Sequence, residues 1–368
     1  QAYPVLTMSW NLFDTTRNPN IFASKYSLSA SEYQLMAAAR QSALNASMLY
    51  AQMVTAEYQI AGFYVQLNSS IKQLRYLRKR YKQKLTTKSD LYQQESLVAQ
   101  IKSQLVAAIS SYQSNLKQLL VSLNLEDIES ATYFFPQDLL VPNQWPLDLK
   151  RTQDLININP SILAYSAQSK ESKAQAEAGF YSYWPKLSVL GYLTYVGTSG
   201  SQSYFPPSQP NGAWSNQFSS YIGLNLTWSF FDGFSAYQQS KSLYAQALSL
   251  EKQAENQELI AQSTALANIE TLNHSSKAIN ALVNSIELAN IAKKSLEKRF
   301  YIGLDSPTNM IEMEQQIGEL YISYANLYGS ISSAWLQLLQ LTGLQLEHNI
   351  ITDKLVNKTQ QTQTQSLN

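Results

Sequence analysis

The chain has 368 residues and a formal net charge of +1, with 45 % apolar and only 14 % charged residues, against about 25 % charged in ordinary soluble domains. Near-neutral charge removes any global attraction to nucleic acid, and the absence of cysteine removes disulfides, thiolate metal sites and cysteine catalysis together. No run of 18 apolar residues occurs, so a membrane-spanning helix is not expected, whereas a spanning β-barrel, with its weak alternating signal, stays open.

The chain begins at Gln1 with no secretory leader, so a processed or truncated N-terminus is expected. Val5 to Phe13 alternates, with Leu6, Met8, Trp10 and Leu12 on one face and Val5, Thr7, Ser9 and Asn11 on the other; period two is the strand signature. Asn20 to Lys84 holds one glycine, Gly62, and no proline. At ~1.5 Å per residue one such helix reaches roughly 100 Å, whereas globular helices average about 11–12 residues. Its apolar stripe is broad and diluted by Ala, Ser and Gln, unlike the narrow seam of a dimeric coiled coil. A curved wall of helices, each touching two neighbours and water, needs such a composition. A turn over Leu85–Asp90 leads into a returning helix that ends near Leu123.

Leu125 to Asn157 contains Pro136, Pro142 and Pro146 and reads as an irregular connector. Asn159-Pro160 opens a helix reaching Tyr183, and Pro185 to Val196 is a poorly alternating strand. Gly197 to Gln217, rich in Ser, Gly, Pro and Asn, reads as an exposed loop. Ser220 to Phe230 is the cleanest strand, setting Ile222, Leu224, Leu226, Trp228 and Phe230 on one face. Ser235 to Ile302 has no Gly and no Pro, turns at Gly303–Asn309 and returns to about Leu341. The tail from Leu355 is polar and reads as disordered.

Two of these stretches echo each other. Ser9-Trp10-Asn11-Leu12-Phe13-Asp14 returns as Thr227-Trp228-Ser229-Phe230-Phe231-Asp232, 218 residues later, and Lys79-Arg80-Tyr81 returns as Lys298-Arg299-Phe300 at an offset of 219. A half-protein repeat with arms of nearly equal length means two hairpins that must reach the same plane. The expected divisions are a strand over 1–14, a helical hairpin over 15–123, a connector over 124–158, a helix over 159–184, a β-hairpin over 185–233 with its loop at 197–217, a second helical hairpin over 234–343 and a polar tail over 344–368.

Catalytic chemistry is not in view. His274 and His348 stand alone, and no phosphate loop, nucleophile elbow or paired-histidine motif occurs, so the chain is not read as an enzyme and no cofactor is called for. Trp10, Phe13, Trp184, Trp228 and Phe231 sit near strand ends, as an aromatic girdle at a bilayer interface does; the plain alternative is that aromatics favour strands and cores. Lys72, Arg75, Arg78, Lys79, Arg80, Lys82, Lys84 and Lys88 form a basic run with no acid between Glu57 and Asp90, while the second hairpin carries Asp305, Glu312, Glu314 and Glu319. Either these are solvated faces, or basic and acidic hairpins pair and leave basic residues to dock a partner.

Four stretches carry a resemblance to the TolC-like outer-membrane efflux protein family. They are Asn159-Pro160-Ser161-Ile162 through Ala174-Gln175-Ala176-Glu177-Ala178 to Trp184-Pro185-Lys186-Leu187-Ser188, then Leu226 to Gly233, Arg299-Phe300-Tyr301-Ile302-Gly303, and Leu338 to Gly343. The resemblance covers roughly Val5 to Gly343 and lies in order and spacing rather than in any one motif. It implies an α+β membrane protein: long antiparallel helical hairpins forming a periplasmic α-barrel, plus strands of a trimeric outer-membrane β-barrel, with the first copy of a duplicated repeat incomplete at its N-terminus. Three strands per protomer, one fewer than the family contributes, cannot close a barrel of the family type.

The resemblance further implies a homotrimer embedded in outer-membrane lipid. A periplasmic adaptor and an inner-membrane transporter of RND, ABC or MFS type would be its partners, in an efflux pump or type I secretion system that binds no nucleic acid. It places a periplasmic entrance at Asp90, Asn309 and Glu312, with Asn309 departing from the family's acidic pattern. It places adaptor docking at Arg80, Lys82, Lys84, Arg299, Gly303 and Leu304. The rival reading is a soluble or peripheral coiled-coil scaffold without channel activity, which the alternating segments and equal arms oppose.

Overall fold

The computed structural model describes residues 4–125, 144–199 and 214–344. In chain order these form β1 (Val5–Phe13), α1 (Arg17–Lys82), α2 (Lys88–Ser122), α3 (Leu149–Asn157), α4 (Pro160–Tyr181), β2 (Lys186–Ser199), β3 (Trp214–Thr227), α5 (Ser235–Tyr301) and α6 (Pro307–Thr342). Two compact units divide them, Gln1–Gln34 with Pro160–Gln257, and Leu35–Asn159 with Glu258–Asn368. Helices α1 and α5, of 66 and 67 residues, contribute their first turns to the first unit and the rest to the second.

The first unit is built on an antiparallel sheet of order β1-β2-β3. Register fixes its faces. Leu6 pairs with Leu193, Met8 with Gly191 and Trp10 with Val189, while Val189 pairs with Leu224 and Gly191 with Ile222. All of these share one face, because successive side chains alternate across a strand. The other face carries Thr7 opposite Tyr192, Asn11 opposite Ser188, and Ser188 opposite Asn225. The apolar face is uncovered in the single chain, with Ile222 82 % and Leu224 70 % exposed. An aspartate fixes the passage from each outer strand into its helix. Asp14 Oδ1 accepts from Thr16 N and Oγ1 at 3.0 and 2.7 Å, and Asp232 Oδ2 accepts from Ala236 N at 2.8 Å. Against α5 lies α4 through small residues: Ser169 Oγ donates to Ala247 O at 2.8 Å and Ser240 Oγ to Ala176 O at 2.7 Å.

Among the described residues the second unit packs α1, α2, α5 and α6 around apolar clusters, two of which lie along the hairpins. Leu77, Phe300 and Met310 form the one nearer the hairpin turns, and Phe63, Leu97, Ile101, Leu105, Ala108 and Ile311 form the other. Helices α1 and α6 approach closely at Gly318, where a Cβ would meet the Gln66 amide at 2.2 Å. Asn159 Nδ2 donates to Leu341 O at 2.8 Å and so satisfies a carbonyl at the end of α6.

Several sequence expectations are corrected. The connector is not wholly irregular: Asp148 caps α3, and Trp145 Nε1 donates to Thr152 Oγ1 at 2.9 Å while its ring meets Trp335 edge-on at 5.0 Å. Helix α1 begins at Arg17, ahead of the proline-free stretch from Asn20, because Pro19 falls in its first turn, where the missing N–H leaves no bond unmade. Strands β2 and β3 run to Ser199 and back from Trp214, into the stretch read as a loop from 197 to 217. Strand β3 stops at Thr227, because Trp228 turns out of the ladder and donates its Nε1 to Tyr183 O at 3.0 Å. The middle of that loop (200–213), most of the connector (126–143) and the tail (345–368) lie outside the described residues.

Candidate functional site

The two helical-hairpin turns are built alike. Leu85 N donates to Arg80 O and Leu304 N to Arg299 O, both at 2.9 Å; Lys84 N donates to Tyr81 O at 2.9 Å and Gly303 N to Phe300 O at 3.0 Å. This paired pattern closes a helix with one left-handed residue. That residue is Gly303 at φ 83° in the second turn and Lys84 at φ 60° in the first. Thr87 and Ser306 then cap the returning helices, and Pro307 opens the second.

Two of the three candidate entrance residues are engaged by their own turn. Asp90 Oδ2 accepts from Thr87 N at 3.0 Å and from the Thr86 and Thr87 hydroxyls at 2.8 Å, closing a capping box. Desolvation pushes the Asp90 carboxyl up, but these bonds outweigh it and hold it below the usual carboxylate range. Asn309 donates its amide to Asp305 Oδ1 at 3.0 Å, and Asp305 Oδ2 holds Arg299 Nε at 2.8 Å. Glu312 is exposed on α6. Among the described residues no ion pair joins the basic run of the first hairpin to the acids of the second. Arg78 pairs with Glu95 at 2.9 Å, Arg299 with Asp305, and Lys293 with Glu314 at 3.5 Å, each within one hairpin.

The candidate docking residues divide in the same way. Arg80 stands 5.8 Å from the ring centres of both Tyr76 and Phe300, so its guanidinium ties α1 to α5, and Arg299 is held by Asp305. Lys82, Lys84 and Gly303 are exposed at the turns, as are the paired apolar tips Leu85 and Leu304.

A buried acid of the second unit, Glu314, is held from several sides, though the sequence offered it only as one acid among several. It is 1 % exposed. Ser69 Oγ donates to its Oε1 at 2.6 Å and Ser70 Oγ to its Oε2 at 2.5 Å. Gln73, its amide turned nitrogen-inward, reaches the same carboxylate at 3.1 Å, and Lys293 Nζ also contacts Ser69 Oγ. Gln94 Nε2 donates to Ser70 O at 3.1 Å, leaving its buried Oε1 unpartnered. All four long helices of the unit thus contribute to one buried polar layer. Buried ion pairs add little net stability, and their best-attested use is to fix register.

The aromatic residues singled out from the sequence gather at one end of the sheet. Phe13 ends β1, Trp184 precedes β2, and Trp228 and Phe231 follow β3, which in an antiparallel sheet is a single edge. Trp10 lies on the apolar face, one short step in. All five are exposed in the single chain.

No protein-family model and no curated protein matches the sequence. Solved structures do match. The outer membrane protein VceC of Vibrio cholerae superposes with a TM-score of 0.78 at 17 % identity, covering 93 % of this chain and 80 % of that one. The CmeC outer membrane channel of Campylobacter jejuni gives 0.72 at 17 % identity over 95 % of this chain and 73 % of that one. The chain has the TolC-like outer-membrane channel fold. The open state of the MtrE outer membrane channel of Neisseria gonorrhoeae shares it at 0.66 and 13 % identity, over 93 % of this chain and 80 % of that one. Within this channel fold the first unit holds the strand segment and the second unit holds the hairpin turns and the Glu314 layer.

Proposed function

We propose that the chain is the outer-membrane exit duct of an efflux or type I secretion assembly and performs no chemistry. The observation that carries this reading is the continuous, uncovered apolar face running across β1, β2 and β3. Moving each side chain such as Leu6, Met8, Ile222, Leu224 and Leu226 from water into hydrocarbon gains about 1.5–3 kcal/mol. Strands β2 and β3 have 14 residues each, more than the ~9–11 that a tilted strand needs to span a bilayer. A scaffold that stayed in water would leave this face as an aggregation hazard.

Closure is by association of copies. Both open edges, β1 and β3, run in the same direction, so rotation alone would set β3 parallel to the next copy's β1. Three copies related in this way would close a nine-stranded wall whose seams between copies are parallel. Three copies would place Glu312 in a ring of like charge at the entrance, selecting ions by sign, with Asn309 as a neutral ring and Asp90 holding the first turn in shape. Leu85, Leu304, Lys82 and Lys84 would meet a periplasmic adaptor, and an inner-membrane transporter would supply the energy. Opening would separate hairpin ends while the Glu314 layer keeps the helices of each copy in register.

The test is cell fractionation of the full chain with native electrophoresis of the detergent extract. The proposal expects a detergent-resistant trimer in the outer-membrane fraction; a protein recovered free of membrane, without β signal, would establish the scaffold reading instead.

A further inference from the structure

Beside the helix end of the sheet, the last turns of α4 and the first turns of α5 enclose a groove of about 490 Å³. Phe180, Tyr181, Tyr237 and Tyr244 wall it, and Lys241 and Glu177 reach into it. All four rings are exposed, so the groove is not a core that the helices needed for packing. Lys173, also at the groove, is held by Glu251 at 2.7 Å. Among the described residues neither Lys241 nor Glu177 has an ion-pair partner. The groove therefore offers one cation, one anion and an aromatic lining.

A second observation lies at the same end of the first unit. Gly233 and Phe234 are both left-handed, at φ 69° and 62°. An aromatic residue rarely adopts that conformation, and such strain persists where function uses it. Here it sets an exposed Phe234 ring edge-on against Phe231, 5.8 Å away, where it adds nothing to the core.

Position decides what the groove meets. Tyr237 is the third residue of α5, and Tyr181 ends α4, five residues before β2 begins. From Tyr237 to Tyr244 the groove extends about 10 Å along the helix at ~1.5 Å per residue. A bilayer of ~30 Å hydrocarbon and ~40–45 Å in all leaves roughly 5–8 Å of headgroup on each side. With the apolar sheet face in hydrocarbon, the sheet end of the groove, from Tyr237 to Lys241 or about 6 Å along the helix, falls in the headgroup layer of the adjoining leaflet. Tyrosine favours that layer, because one end of its side chain is apolar and the other wet.

We infer that this groove holds the zwitterionic headgroup of an ethanolamine phospholipid, with Lys241 on the phosphate and Glu177 on the ammonium. The inference rests on the membrane reading proposed above. A glycerol headgroup leaves Glu177 without a cation. A choline headgroup carries no N–H to donate to it.

Native mass spectrometry of the full chain in detergent, titrated separately with dioleoyl phosphatidylethanolamine, phosphatidylglycerol and phosphatidylcholine, tests it. The ethanolamine lipid should be retained at about tenfold lower concentration than the other two. The double variant Lys241→Gln with Glu177→Gln should erase that preference and leave oligomer mass and planar-bilayer conductance unchanged. Equal retention of the three lipids, or a preference that survives in the double variant, overturns the site. A photo-crosslinker replacing Tyr237, in vesicles of phosphatidylethanolamine and phosphatidylglycerol, should label lipid; labelling of a neighbouring copy overturns the site and makes the groove a subunit contact. Conductance without lipid preference would sink the headgroup site alone, whereas a wild-type chain that never enters the bilayer would sink the channel reading on which it rests.

Discussion

Replacing Glu314 by Ala removes the acceptor for Ser69 and Ser70 and the counter-charge of Lys293, whose side chain is only 16 % exposed. Breaking a buried pair on one side costs about 3–5 kcal/mol, because the remaining charge stays uncompensated. Each orphaned hydroxyl would add about 1–3 kcal/mol if it found no other partner. Both serines are helical and can turn back to their own i−4 carbonyls, so roughly 3–5 kcal/mol is the expected total. Glu314→Gln keeps the volume and one acceptor oxygen for the serines but leaves Lys293 just as uncompensated, so its loss should fall at the lower end of that range, about 3 kcal/mol. The assay is thermal and urea unfolding of the full chain followed by circular dichroism. At about 2–4 °C per kcal/mol for a unit of this size, the Ala variant should melt roughly 6–20 °C lower. Adding Lys293→Met to a Glu314→Leu chain should recover at least half of the loss, since an apolar replacement of both partners is often near neutral. An Ala variant within about 1 kcal/mol of the parent would refute the argument that this layer fixes the helices.

The turns give three further expectations. Gly303→Ala meets open space, so its cost is purely that of a left-handed backbone, about 1–2 kcal/mol, while Lys84→Gly at φ 60° should stabilise by up to about 1 kcal/mol; unfolding midpoints that move the other way contradict the turn geometry. Thr87→Ala opens the capping box and should cost about 1 kcal/mol, seen as faster hydrogen exchange in the first turn of α2 and nowhere else. Asp14, Asp90 and Asp232 are held below the usual carboxylate range. Desolvation opposes the shift at Asp14 and is outweighed by bonds from Thr16 and by Lys186, and at Asp232 the leading cause is the Ala236 amide. Lowered folded values mean that their contribution is complete above the unfolded value of about 3.9 and is lost as pH falls through the lower folded values. Strand-to-helix and hairpin turns should therefore loosen below about pH 4, and an acid stability curve that is flat there would contradict the cap assignments.

Much of the frame was legible because it rests on period and punctuation. Alternation placed β1 and β3, the absence of Gly and Pro over 235–302 placed α5, and Gly303 with Ser306-Pro307 placed the second turn. What failed to show depended on neighbours distant in sequence. Gly197 to Ser199 read as loop from composition, yet they pair with residues returning in β3, and tertiary pairing overrides a weak strand propensity. Helix α3 has nine residues, too few for a periodic signal between prolines, and it is held by Trp145 and Trp335. Glu314 looked like any helical acid, since Ser69, Ser70 and Lys293 lie on other helices. Asp90 shows the opposite case: Thr87-Lys88-Ser89-Asp90 is a capping box readable from sequence alone.

The central claim is that this chain forms a pore through a lipid bilayer. Single-channel recording of the purified full chain in a planar bilayer tests it most directly, with Glu312→Gln recorded beside it. The account predicts discrete conductance steps that favour cations, with that preference reduced in Glu312→Gln and the step size maintained or raised. A chain that inserts in the bilayer yet passes no discrete current would contradict it.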